Sequence, residues 1–195
     1  MSGARDRQRP ARRAGTTGRR RSTASARVAV LVEAPEWGRR LHTAAALTRR
    51  AVREALSAGR RRPVGAGKVE LNVVLTDDRA VRRLNRDWRG QDKPTNGLSF
   101  PAQNGPAQNG RPAPRLPPGV PVLLGDVVVA CGVAVAEAAA QGKTLRAHLA
   151  HLVVHGVLHL LGHDHEADAE AERMEALEAK VLRRMGIANP YRAAP

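Results

Sequence analysis

The chain has 195 residues, enough for one domain with a substantial core, and it carries a formal charge of +15. Its single cysteine, Cys131, excludes an internal disulfide and a cysteine-ligated zinc finger, and fits the reducing cytoplasm. No run has the length of a membrane-spanning helix, and the Arg-rich start lacks the apolar stretch of a secretory signal, so neither membrane nor export is expected.

The charge is unevenly spread. Residues 1–27 hold nine arginines, one aspartate and no lysine; the remainder carries 24 Lys+Arg against 17 Asp+Glu. Both parts attract polyanions, of which nucleic acid is the commonest. Residues 1–26, rich in Arg, Ser, Thr and Gly, are expected to form a disordered basic arm ahead of a single domain at 27–192. "RVAVLVEA" (27–34) predicts a strand, and Leu41, Ala45, Val52 and Leu56 recur at helical spacing. "GRRRPVGAG" (59–67) breaks that helix, and "KVELNVVLT" (68–76) predicts a second strand. Thr76 or Asp77 is placed to cap a helix running to about Trp88. "RGQDKPTNGLSFP" (89–101) reads as a loop leading into a short strand. Residues 101–121 contain the tandem "PAQNGPAQNG" and read as an exposed Pro/Gly-rich insertion. "VLLGDVVVA" (122–130) predicts a strand interrupted by Gly125 and Asp126, and "CGVAVAEAAAQG" (131–142) a helix. Thr144 caps a helix from Leu145 to Leu161, which Gly162 ends in a left-handed turn. A last helix, about Ala167 to Met185, has an apolar stripe of Met174, Leu177, Val181 and Met185. Its acidic start, Glu166 to Glu172, complements the helix dipole or supports the nearby histidines from behind. Together these give an α/β chain of the α+β type: a small mixed sheet of about four strands packed with about five helices.

Six of the seven histidines fall between His148 and His165. His155 and His159 are four apart on one helix, so their rings stand about 40° apart, one turn along. His165 follows the glycine turn and returns to the same place. Three neutral imidazoles and an open position are the ligand set of a catalytic zinc, which activates water near neutral pH. His151 lies on the same stripe one turn earlier and is a candidate to support the ligands. Gly156 is the informative departure, because a zinc protease of the H-E-x-x-H type carries its glutamate there. Without that carboxylate the odds move from peptide to phosphodiester, whose transition-state charge a cation stabilises directly. Asp164 fits an orienter, a base or a helix cap, and Asp126 a histidine support or a turn closure.

"HGVLHLLGHDH" (155–165) resembles the H-G-x-L-H-L-x-G-x-D-H signature of the YbeY family of bacterial rRNA maturation endoribonucleases. "LNRDWRGQDKPTNGLSFP" (84–101) is similar to the family's R-G-x-D-K-P-T-N-V-L-S-F-P segment, "LLGDVVV" (123–129) to its L-G-D stretch, and "NPY" (189–191) to its tail. The likeness runs from about residue 69 to 191. It implies a mixed sheet with a zincin-like metal helix, one Zn2+ per chain on His155, His159 and His165, and an essential catalytic arginine at Arg89. It also implies a single-strand-preferring endoribonuclease acting on the 16S 3′ end and in ribosome assembly or quality control. Gly97 replaces the usual Val and His163 a frequent Tyr, and the basic arm and the 101–121 loop are longer than typical.

Independently, Arg89 offers a two-pronged grip on phosphate, Lys93 a point charge, and Thr95 and Asn96 neutral donors. The four aromatic residues, Trp37, Trp88, Phe100 and Tyr191, are few for base-stacking platforms. Binding is therefore expected to rest on backbone phosphates, with strong salt dependence and no DNA specificity, and site choice to come from the ribosome or small-subunit proteins. Two rival functions are a zinc peptidase with a remote base such as Asp164, and a non-catalytic ribosome-assembly factor with structural zinc.

Overall fold

Strand β2 (Lys68–Thr76) shows how alternation orders the sheet: Val69, Leu71, Val73 and Leu75 are buried on one face while Asn72 is exposed on the other. The computed structural model describes residues 25–59, 68–103, 105–107, 112–113, 115–117, 119–165 and 167–192. Strands β1 (Ser25–Val32), β2, β3 (Gly97–Pro101) and β4 (Val122–Ala130) form a mixed sheet in the order β1-β2-β4-β3. The first three of that order run parallel, and β3 is an antiparallel edge on β4.

Helices α2 (Ala44–Ala58) and α5 (Leu145–Leu160) cover one face. Val52 and Ala55 of α2 and Leu149, Val153 and Val157 of α5 join Val73, Leu75, Val127 and Val129 in the main core. α6 (Asp168–Arg184) adds Met174, Val181 and Leu182 to it. On the other face α3 (Asp78–Arg89) packs Val81 and Leu84 over Leu98, Phe100, Val128 and Ala130. α4 (Cys131–Ala140) follows β4 directly.

The four-strand expectation stands, while the described residues hold six helices rather than about five. The additional one, α1 (Pro35–Arg40), is short, with Pro35 in its first turn. It is held by Trp37, which has no exposed surface and donates its Nε1–H to the Thr76 carbonyl at 3.1 Å. Asp77, not Thr76, caps α3, its Oδ1 accepting from Ala80 N at 2.7 Å. The basic arm before residue 25, the breaker at 60–67 and Glu166 lie outside the described residues. Of the 101–121 segment, Gly105 and Pro106 are buried and Leu116 packs against the core, so it is not wholly an exposed insertion.

β4 is not interrupted at Gly125 but bulged. Its pairing to β2 shifts between Glu70 and Leu71, with Leu123 opposite Glu70 and Gly125 opposite Leu71. Leu124 and Val127, three residues apart, therefore share the face under α5. Gly125 holds φ +126°, and a Cβ there would lie 2.0 Å from the Phe100 carbonyl oxygen. Gly125→Ala is expected to cost about 2 kcal/mol or more in urea unfolding, against about 1 kcal/mol for Gly142→Ala, where φ is +62° and the space is open. Equal midpoints for the two variants would remove the bulge from this account.

Candidate active site

Helix α5 begins on Thr144, whose Oγ1 accepts from Ala147 N at 3.1 Å. It ends in a left-handed stop: Gly162, at φ +81°, donates its N–H to His159 O at 2.9 Å, and His163 N–H reaches Leu158 O at 3.0 Å. The turn sends the chain back over the last helical turn. His165 returns with its ring 5.6 Å from that of His155 and 4.9 Å from that of His159. One ligand atom from each of His155, His159 and His165 lies within 4.8 Å of the others, and the two Nε2 atoms of His155 and His159 are 3.0 Å apart.

A carboxylate on α6 sets the chemistry of this cluster. Glu178 has no exposed surface; its Oε1 stands 2.8 Å from His155 Nδ1 and its Oε2 2.8 Å from His151 Nε2. The Tyr191 hydroxyl donates to the same Oε2 and lies 3.2 Å from His151 Nε2. Burial pushes the Glu178 carboxyl upward, but the hydrogen bonds from His151, His155 and Tyr191 outweigh it and hold it at about 2. Its own burial, then that carboxylate, drive the Tyr191 hydroxyl well above the ordinary phenol. With its Nδ1–H given to an ionised Glu178, His155 presents an Nε2 lone pair. Burial, then the neighbouring His155 and His165, push His159 down to about 4, so it is neutral at physiological pH. The 3.0 Å between the two Nε2 atoms is close to the roughly 3.3 Å at which two imidazoles stand on one zinc. The donor set fits Zn2+.

Gly156 is a packing position. A Cβ there would lie 2.7 Å from Val127 Cγ1 and 3.1 Å from Ser99 Oγ, because α5 rests directly on β3 and β4. The side of α5 where a zinc protease carries glutamate is filled by the sheet.

A cleft of about 940 Å³ opens in front of the histidines, and Arg89, Thr95, Asn96 and Asp164 line it with His155, His159 and His165. Its basic wall is braced from α3. Arg82 grips Asp92 through two 2.8 Å contacts, and Asn85 Nδ2 donates to Lys93 O at 2.8 Å. Asn96 Nδ2 donates to Glu137 Oε2 at 2.9 Å, and the same oxygen is 2.9 Å from Nε2 of the buried His148. Burial lowers the His148 pKa despite that contact.

The sequence-predicted residues thus divide. The three histidines, Arg89, Thr95, Asn96 and Asp164 share the cleft. Asp164 Oδ1 accepts from His165 N at 2.8 Å. His151 shares Glu178 with His155. Lys93 is exposed and lies outside the cleft lining. Asp126 meets no histidine; it accepts from Asn72 Nδ2 at 2.7 Å on the face of the sheet away from α5. Glu178 and Tyr191 were missed. The signal for Glu178 was an acid inside the Met174, Leu177, Val181 stripe, where an unpaired carboxylate has no place.

Glu178→Gln is expected to weaken zinc binding 10- to 100-fold, on the order of other lost ligand supports, measured by competition with a chelating dye; unchanged affinity would unseat Glu178. The pH dependence of the metal-free protein follows from the same shifts. His159 titrates near 4 in the fold against 6.5 when unfolded, so the unfolded chain alone gains that proton between them. Melting temperature is therefore expected to fall as pH drops from 6.5 to about 4. Glu178, at about 2 against 4.5, continues the loss below pH 4.5. A flat profile from 6.5 to 4 contradicts a neutral His159.

The family model described as Endoribonuclease YbeY matches residues 39–186. Among curated relatives, an Endoribonuclease YbeY from Paramagnetospirillum magneticum is 48% identical, covering 87% of this chain and 98% of its own. One from Azorhizobium caulinodans is 51% identical, covering 83% and 94%. A solution structure of a Thermotoga maritima protein is 24% identical over 82% of this chain and 91% of its own, with a TM-score of 0.46. A histidine cluster on the α5 turn, an arginine lining the same cleft and this extent of identity lead to one assignment: the chain belongs to the endoribonuclease YbeY family.

Proposed function

We propose that this endoribonuclease cuts single-stranded RNA at the 3′ end of 16S rRNA and in ribosome assembly or quality control. In this reading it works in the cytoplasm, with the ribosome or small-subunit proteins as partners and one Zn2+ held by His155, His159 and His165. The observation that carries the reading is the single cleft shared by Arg89 and the three imidazoles. Among the described residues no helix is long and apolar enough to cross a membrane.

The residues divide the work as follows. The Arg89 guanidinium holds two oxygens of the scissile phosphate and offsets the charge that grows on them. Thr95 donates to the adjoining backbone, and the second N–H of Asn96 remains for the same purpose. Lys93 adds attraction from outside the cleft. Glu178 fixes the His155 tautomer and ring plane, and Asp164 anchors the turn that carries His165. When bound, zinc supplies Lewis acidity and water activation near neutral pH. The attacking oxygen is that of water or of the substrate's own 2′-OH. A peptidase reading is disfavoured by Gly156, where α5 leaves no room for the protease carboxylate. It survives only through Asp164.

The deciding experiment incubates zinc-loaded protein with single-stranded RNA, duplex RNA and an unstructured polypeptide, with and without chelator. Cleavage of the single strand alone, lost with chelator and restored by Zn2+, is expected. Arg89→Glu, exposed at the end of α3, is expected to lower the rate at least 100-fold with an unchanged melting temperature. Cleavage of the polypeptide would favour the peptidase. If His165→Ala unfolded the protein as completely as it stopped turnover, the zinc would be structural.

A further inference from the structure

Trp88 is the penultimate residue of α3, and 73% of its surface is exposed. Leu84, one turn earlier, packs into the cluster of Val81, Leu98, Phe100 and Val128. Trp88 lies beyond that cluster and touches it only at its margin. Its ring meets Phe100 edge-on, with centroids 5.9 Å apart and planes at 64°. An indole left so far in water adds little to the core. The T-shaped contact steadies the ring while most of its surface stays in solvent.

Its position matters more than its exposure. Arg89, the next residue, lines the cleft, as do Ser99 and Pro101, the neighbours of Phe100 on edge strand β3. Phe100 points to the α3 side of that strand and Ser99 to the α5 side, where it donates toward Gly156 O at 3.4 Å. One edge strand therefore separates the indole from the histidine cleft. The surrounding surface is cationic: Arg83, Arg86, Arg89 and Lys93 are all exposed, with Asp87 beside Arg86. A polyanion seated on Arg89 continues over the β3 edge onto this surface.

We propose that Trp88, propped by Phe100, is a stacking platform for one unpaired base of the RNA flanking the bond that is cut. The inference rests on the endoribonuclease reading and deepens it. A flat aromatic face beside phosphate-binding cations is the chemistry of single-strand binding, and it takes any base. A duplex buries its base faces in its own stack and cannot use it, which supplies a physical source for single-strand preference. The expectation that four aromatics are too few for stacking yields here to placement: one exposed ring next to Arg89, across the β3 edge from the cleft, suffices.

The second tryptophan, Trp37, has no exposed surface, so changes in emission on RNA binding report Trp88. The test uses the zinc-loaded full chain. A short 2′-O-methyl oligonucleotide is expected to quench tryptophan emission, and the same oligonucleotide with abasic positions to quench it far less. Anisotropy of labelled oligonucleotide is expected to show binding weakened about 5- to 150-fold in Trp88→Ala, the contribution of one stacked base. Trp88→Tyr restores most of it and Trp88→Leu does not. On cleavable RNA, KM rises by a similar factor while kcat changes little. Unmoved emission at saturating oligonucleotide, or wild-type affinity in Trp88→Leu, overturns the platform and leaves the indole as a contact for a protein partner. Those results leave cleavage itself standing; wild-type protein that neither binds nor cuts RNA sinks both readings.

Discussion

A carboxylate with none of its surface in water is costly unless donors surround it, and Glu178 has three: His151 and His155 from α5 and Tyr191 from the tail. The arrangement links three parts of the chain and does something for each. It docks α6 onto α5 through a polar contact inside an otherwise apolar interface. It closes the residues after Ile187 over the back of the site. It also orients the His155 ring, with Nδ1 on the carboxylate and Nε2 toward His159. Removing any donor leaves a buried charge short of a partner, which is why the site and the local packing are expected to fail together.

The other fixed element is the bulge in β4. Alternation along an unbulged strand from Leu124 would put residue 126 on the same face, toward α5. The extra residue at Gly125 turns Asp126 to the opposite face, where Asn72 meets it, and brings Val127 under Gly156 instead. The helix then settles on a methyl group, at a distance that only a glycine permits. The absence of the protease carboxylate and the absence of an aspartate behind the histidines are thus two results of one backbone irregularity.

Much of this was legible in the residues. β2 matched its nine predicted positions, α5 ended at the predicted glycine turn, and the three histidines converged as their spacing required. These features depend on short-range rules: alternation, capping, a left-handed stop. What escaped depends on distant packing. α1 is too short to show a period, and its anchor, Trp37, bonds to a carbonyl 39 residues away. Glu178 was hidden in a helix taken as a plain core cover, although an acid in its apolar stripe was the clue. Asp126 was misplaced because a bulge reverses faces without changing the strand's composition.

The contrast between three convergent histidines and a missing base resolves through charge. Cleaving a peptide requires a proton for the departing amine, and the residue that supplies it in H-E-x-x-H enzymes is replaced here by contact with the sheet. Asp164, the carboxylate on the cleft wall, accepts from His165 N at 2.8 Å and holds the returning turn. Arg89 lines the same cleft, at the end of a helix whose exposed surface includes Arg79, Arg82, Arg83 and Arg86. A substrate that brings its own negative charge, and develops more in the transition state, is matched to such a cleft; a neutral amide is not.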